Sequence, residues 1–495
     1  MSSKNFLAFD LGASSGRAVV GQFDGAELTL REIHRFPNEP VQIHQSLYWN
    51  ILSLFAEMKQ GLVKAINGER LNLTTLGVDA WGVDFGLLDR AGNLIGNPYH
   101  YRDRRTEGIF DKAFAVVPRE EIFAATGIQF MSLNTLFQLF AMVRQNDPAL
   151  DVASTLLLIP DLLNYWFTGE KVSEYTIAST SQCMNMATGQ WAIPLLEKAF
   201  RIPPHIFPEI VPPGTKLGPL LPGLTDELNL STGLTVIAPG GHDTACAVAG
   251  VPVAAGEKGF AYISSGTWSL VGMEIAQPII NEAALNYNFT NEGGVDNTIR
   301  LLKNIGGLWL VQESRRTWAQ QGQKFSYAEL TDLAAAAPPF SALIDPDDPA
   351  FGPPGDLPAR IREFCQRTGQ AIPESQGAVI RTALESLALR YRWVIEKAAE
   401  VSGQSINVLH IVGGGSQNRL LNQFAANATG LPVLAGPVEA TALGNILMQM
   451  LAVGEISSLS EGRDLVRRSF PVESYEPQES AAWDEAYQRF LGIVE

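Results

Sequence analysis

Two segments half a chain apart share one pattern, and that pattern constrains the fold more than any other feature. "LAFDLGASSGRAVVGQF" (Leu7 to Phe23) reads as apolar strand, Gly/Ser turn, apolar strand, and "GFAYISSGTWSLVGMEI" (Gly259 to Ile275) reads the same way. The first carries Asp10 at the end of its leading strand and Arg17 just past its turn. It is not a loop-to-helix phosphate site. No Gly-Lys-Ser/Thr occurs in the chain, and "RAVVGQF" is a strand where GxGxxG would open a helix. A turn between antiparallel strands can instead aim successive backbone N–H groups at one point, which binds an anion without a helix dipole. Two such hairpins, each heading a half, suggest a duplicated α/β domain with a cleft between the halves, 1–244 and 245–495.

A length of 495 residues is too much for one core and fits two large domains. After the first hairpin, "ELTLREIHRF" alternates as a third strand should, and "ILSLFAEMKQGLVKAI" has helical periodicity. "TLGVDAWGVDFGLLDRAG" gives strand, turn, strand, and residues 106–200 read as mostly helical. "IPPHIFPEIVPPGTKLGPLLPG" reads as loop, and "PPFSALIDPDDPAFGPPG" as an exposed flap. The flap's Asp345, Asp347 and Asp348 are expected to be solvated, with cation binding the other possibility. "INVLHIVGGGSQNRLLNQFAANATG" reads as strand, triple-Gly turn and a helix capped by Ser416 or Asn418.

The bulk properties exclude several classes. A net charge of −16 argues against nucleic acid or an anionic membrane as main partner. Three widely spaced cysteines without a CxxC argue against a disulfide framework or a zinc site, and point to reduced thiols and a cytoplasmic setting. The opening residues do not make a signal peptide, and no run approaches the ~18 apolar residues of a membrane span.

The candidate chemistry gathers at the turns. Gly12 and Gly16 should permit close approach and unusual φ, and Ser14 and Ser15 should add hydroxyl donors to the backbone N–H groups. Asp10 is placed to organise magnesium, because that ion keeps several waters and needs few carboxylates. Arg17 could neutralise phosphate or make an ion pair. In "IAPGGHDTACAVAG", Asp243 lies near a helix N-cap beside Thr244, a setting for a cap or for a base facing a cleft. His242 by itself reads as structural. Trp81 in "GVDAWGVDF" could stack on a sugar or pack in the core, and Gly82 could offer backbone bonds to hydroxyls.

Together these pieces resemble the FGGY carbohydrate kinases of the actin-like/hexokinase (ribonuclease H-like) ATPase superfamily. "DLGASSGR" and "SSGTWSL" resemble the two phosphate motifs, "VGGGSQN" the adenosine motif, "GHDT" the catalytic-base motif, and "VEATALGN" the close of the second signature. The resemblance runs in order from about residue 6 to about 450. Within the family, "LREIHRF", "WGVDFGLLD", "YRDRRT" and "LLKNIGGLWLVQE" are most similar to the rhamnulokinase subgroup, with the L-fuculokinases next. That subgroup often reads Ser-His-Asp-Thr, where this chain has Gly241.

The resemblance implies two actin-like ATPase domains with a central catalytic cleft, and an enzyme that uses ATP and Mg²⁺ to phosphorylate a ketose, L-rhamnulose foremost, at C1. It implies that Ala13, Ser14, Ser15, Gly16, Arg17, Thr267, Gln312 and Gly414 contact ATP. It further implies that Gly82, His242, Asp243, Thr244 and Asn304 contact the sugar, that Asp243 is the general base, and that Asp10 holds magnesium through water. The partners are then a small sugar and ATP, in a monomer or small homo-oligomer. A nucleotide-driven switch or sugar sensor is the alternative from another class, since fold does not fix function.

Overall fold

The computed structural model describes residues 3–230, 234–478 and 480–494. By internal contacts the chain divides into two units, each assembled from separated segments. The first comprises Met1–Ala255, Glu274–Leu301 and Ala440–Ser469; the second comprises Gly256–Met273, Leu302–Glu439 and Phe470–Glu495.

The first unit is built on strands β1 (Lys4–Leu11), β2 (Ser15–Phe23), β3 (Leu28–Pro37), β4 (Leu73–Ala80), β5 (Thr215–Pro219) and β6 (Thr235–Ala238). They lie in the order β3-β2-β1-β4-β6-β5. β1 to β3 form an antiparallel meander, β4 joins β1 in parallel, β6 joins β4 in parallel, and β5 closes the edge antiparallel. From Phe6 onward β1 is buried on both faces, so that stretch reads as an apolar run broken only at Asp10.

The second sheet includes β7 (Phe260–Ser265), β8 (Trp268–Ile275), β9 (Ile299–Gly306), β10 (Val408–Val412), β11 (Val433–Ala435) and β12 (Glu473–Tyr475), in the order β9-β8-β7-β10-β11-β12; most of it belongs to the second unit, while Glu274–Ile275 of β8 and Ile299–Leu301 of β9 belong to the first. β7 pairs antiparallel with β8 and parallel with β10; β11 continues in parallel and β12 ends antiparallel. From β7 through β10 and β11 to β12 the sense of pairing repeats that from β1 through β4 and β6 to β5. The duplication expected from the two Gly/Ser hairpins is thus present in sheet topology. It departs in chain order at one edge, where β5 precedes β6 but β12 follows β11.

Two Pro-rich segments differ from the expectation of loop. Thr215–Pro219 is an edge strand, a position where proline is tolerated because one side of the strand needs no ladder partner. The supposed flap is pinned: Ala342, Leu343, Ile344 and Phe351 are buried. Asp347 accepts from Gly306 N at 2.7 Å and pairs with Arg390 at 2.7 Å, while Asp348 pairs with Arg367. The acidic cluster is structural rather than solvated.

Two helices of the first unit position its polar residues. Asp243–Ala249 follows β6, and Ala440–Val453 crosses it so closely that a Cβ on Gly444 would lie 1.8 Å from the Cys246 carbonyl oxygen. Cys183, Cys246 and Cys365 are buried free thiols. Among the described residues no helix is long and apolar enough to cross a membrane.

Candidate active site

In the first unit three carboxylates gather at the strand ends. Asp10 and Asp79 are register partners on the parallel strands β1 and β4. Asp79 is fully buried, and burial first, then the charge of Asp10, drives its pKa well above the ordinary range. Its Oδ2 accepts from Asn445 at 2.6 Å, and its Oδ1 is buried without a partner. Arg17, the cross-strand partner of Asp10, forms an ion pair with it.

The third carboxylate, Asp243, opens the helix Asp243–Ala249 with His242 at its N-cap. Burial raises its pKa, His242 lowers it, and the charge of Asp10 raises it again. Thr244 Oγ1 donates to its Oδ1 at 3.0 Å, and His242 Nε2 lies 3.4 Å from the same oxygen. The Asp243 side chain keeps 29% of its surface open, so it is sheltered yet reachable. A carboxylate whose affinity for a proton is raised in a reachable setting is suited to accept one.

The loop before Asp243 is fastened at several points. Ala80 N donates to Gly241 O at 2.9 Å, tying the end of β4 to the loop. Gly241 N donates to the buried Glu174 Oε2 at 2.8 Å. A Cβ at Gly241 would stand 2.9 Å from that same oxygen, so the glycine that departs from the subgroup pattern fits this contact.

The first turn is held by a residue that pattern reading missed. Asn38, just beyond β3, donates from Nδ2 to Gly12 O at 2.8 Å and from its backbone N to Ser14 O at 3.1 Å. Neither Gly12 nor Gly16 takes a positive φ, contrary to expectation. Gly16 is needed for packing instead: a Cβ there would lie 2.2 Å from the Phe36 ring.

Gly82 and its neighbours stand at the turn after β4. Val83 has φ 69°, a costly conformation for a β-branched residue, and is held by Thr180 Oγ1 at its N–H and Thr135 Oγ1 at its carbonyl. Trp81 is a core residue rather than a free stacking face. It is buried, packs on Trp49 at 4.1 Å and donates to Asp84 at 3.0 Å. Asp84 also accepts from Trp49, Tyr101 N and Gln138, and burial pushes its pKa up to about 6.

In the second unit the β7–β8 turn receives the start of the helix Trp309–Gln320. Leu308 N donates to Gly266 O at 3.0 Å, and Trp309 N to Thr267 O at 3.1 Å. Thr267 Oγ1 donates to Gln312 Oε1 at 3.1 Å, so two of the expected ATP contacts meet. In the triple-Gly turn, Gly415 packs on Ser265, where a Cβ would stand 2.0 Å from Oγ, whereas Gly414 faces open space. Asn418, not Ser416, caps the following helix, accepting from Leu421 N. Asn304 lies on β9.

Comparison with known proteins identifies the family and the fold. Residues 5–250 match the N-terminal domain of the FGGY family of carbohydrate kinases, and residues 261–453 its C-terminal domain. A rhamnulokinase of Bacteroides thetaiotaomicron is 47% identical over 495 residues, covering 99% of each chain. A rhamnulokinase of Enterococcus faecalis is 43% identical over 96% of this chain and 94% of its own. Among solved structures, a gluconate kinase of Lactobacillus acidophilus superposes with a TM-score of 0.80 at 16% identity, covering 99% of this chain and 98% of that one. A glycerol kinase of Plasmodium falciparum with ADP does so at 0.77 and 17% identity, with the same coverage. These two likenesses show a shared fold.

Proposed function

Because the chain belongs to the FGGY family of carbohydrate kinases, we propose that its reaction is transfer of the γ-phosphoryl group of ATP to the C1 hydroxyl of L-rhamnulose, giving L-rhamnulose 1-phosphate. The observation that carries the chemistry is Asp243. Its raised pKa and partial opening suit a general base, and its two polar neighbours, the hydrogen-bonded Thr244 and the ring of His242 at 3.4 Å, both approach Oδ1. The choice of ketose is supported by relatives at 47% and 43% identity that are named rhamnulokinase.

In this reading Gly82, His242, Thr244 and Asn304 orient the sugar, and Asp243 takes the proton as the hydroxyl oxygen attacks in line. Phosphoryl transfer asks little covalent work of the protein, so positioning and charge stabilisation dominate. Ala13 to Arg17 and Thr267 would hold the phosphates, and Gln312 and Gly414 the rest of the nucleotide. Closure over the substrates would exclude water, a rival nucleophile. We place the enzyme in the cytoplasm.

Magnesium fits the donor set. The charges of Asp10 and Asp243 raise the proton affinity of Asp79, that of Asp10 raises the proton affinity of Asp243, Arg17 pairs with Asp10, and Asp79 Oδ1 has no partner. Among the described residues no group of three or more such side chains is placed to ligate an ion directly. By resemblance to the family, Asp10 would hold magnesium through water, and the ion would offset charge on the phosphate oxygens.

The test is coupled ADP release over L-rhamnulose, L-fuculose, L-ribulose, L-xylulose, D-xylulose and glycerol. L-Rhamnulose should give the highest kcat/KM. A higher value with L-fuculose would move the assignment to that sugar. ATP hydrolysis indifferent to any sugar would replace the kinase reading with a nucleotide switch.

A further inference from the structure

Behind the candidate base lies a buried charged pair that the chemistry above does not use. Arg300, on β9, is completely buried. Its Nη2 approaches His242 Nδ1 at 3.1 Å with hydrogen-bond geometry and Glu292 Oε2 at 3.2 Å, and its Nε donates to Gly293 O at 2.9 Å. Glu292 Oε2 is also 3.2 Å from His242 Nδ1. Two groups of opposite character therefore compete for one ring nitrogen.

The chemistry of the guanidinium decides between them. Arginine carries donors only, so an Arg300–His242 hydrogen bond requires Nδ1 to be an acceptor. The imidazole proton then sits on Nε2, the nitrogen facing Asp243 Oδ1. If Glu292 won instead, the proton would sit on Nδ1. Arg300 also offsets the Glu292 charge, which weakens the carboxylate's pull on that proton.

We infer that Arg300 is a positioning residue for phosphoryl transfer: by donating to His242 Nδ1 it fixes the Nε2–H form, which together with Thr244 engages Asp243 Oδ1 and leaves Oδ2 to accept the sugar proton. This rests on Asp243 being the base. It assigns the reacting oxygen of the carboxylate and gives a function to a salt bridge that is costly to bury.

The experiment reads the tautomer of His242 in the full-length protein by two-bond ¹⁵N–¹H correlation, with His242→Asn identifying the signal. The wild type should show Nε2 protonated. Arg300→Met should move the proton to Nδ1, and kcat should fall on the order of 10-fold to 100-fold while KM for ATP holds. Should Arg300→Met not fold with Glu292 left uncompensated, Arg300→Met/Glu292→Gln removes both buried charges. The introduced amide can donate to Nδ1, so this double variant should return the proton to Nε2 and exceed the single variant in kcat. A wild-type His242 protonated on Nδ1, or a double variant without the Nε2–H form, overturns the inference. The tautomer readout needs no substrate, so its failure is separate from that of the kinase reading, which falls if wild-type ADP release does not depend on a ketose.

Discussion

Asp79 accepts a 2.6 Å hydrogen bond from Asn445, a residue 366 positions later in the chain. Asn445 lies on the helix Ala440–Val453 and in turn accepts from Gln449 Nε2 at 2.7 Å. Gln449 also donates to Leu7 O and accepts from Thr75 Oγ1. A late segment thus supplies the polar floor beneath the carboxylates of β1 and β4.

Asn445→Ala should lower stability by about 1–3 kcal/mol, since Asp79 loses its donor and Gln449 loses an acceptor, both buried. Chemical denaturation of the full-length protein reads this. An unchanged midpoint would show the network to be dispensable.

Asp243→Asn should reduce kcat on the order of 10² to 10⁴, the usual contribution of a general base, and leave ATP binding intact. Steady-state kinetics and calorimetric titration with ATP separate the two. Turnover near the wild-type value would remove Asp243 from the role of base.

The raised pKa of Asp84 makes stability depend on pH. With an ordinary value of 3.8 and a folded value of about 6, its contribution is fully present below about pH 4 and is lost as pH rises through 6. The change is about 3 kcal/mol from a shift of about two units. In Asp84→Asn, unfolding measured at pH 4.5 and 7.5 should show a smaller fall in stability across that interval than the wild type.

Gly16→Ala forces a Cβ to 2.2 Å from the Phe36 ring. It should cost about 1–3 kcal/mol as an overpacked site and raise KM for ATP by displacing the first turn. Gly16→Ala/Phe36→Leu should recover part of both in thermal melts and kinetics. No recovery would mean that the glycine serves something other than this packing.

Gly414→Ala and Gly415→Ala should differ in kind. Gly414 has open space around it, so its alanine variant should melt normally and bind ATP more weakly. Gly415 abuts Ser265, so its alanine variant should lose stability first. Equal melting temperatures for the two would contradict the division of labour.

The sequence by itself determined the class of fold and the family. Strand–turn–strand hairpins at Asp10 and Ser265, the GHDT loop at a helix start and the Gly-rich turn at Gly414 are local patterns, and local backbone rules make local patterns legible. What it left open depends on residues brought together from far along the chain. Asn38 bracing the first turn, Glu174 gripping Gly241, Arg300 behind His242 and Asn445 beneath Asp79 give no local signal, because each is an ordinary polar residue on a strand, helix or loop. The same holds for Trp81, whose place in the core rather than against a sugar follows from Trp49 and Asp84 closing around it. Only the tertiary structure decides which polar groups are buried. Burial makes each hydrogen bond obligatory, and those bonds hold the turns, strands and loop from which Asp10, Asp79 and Asp243 project.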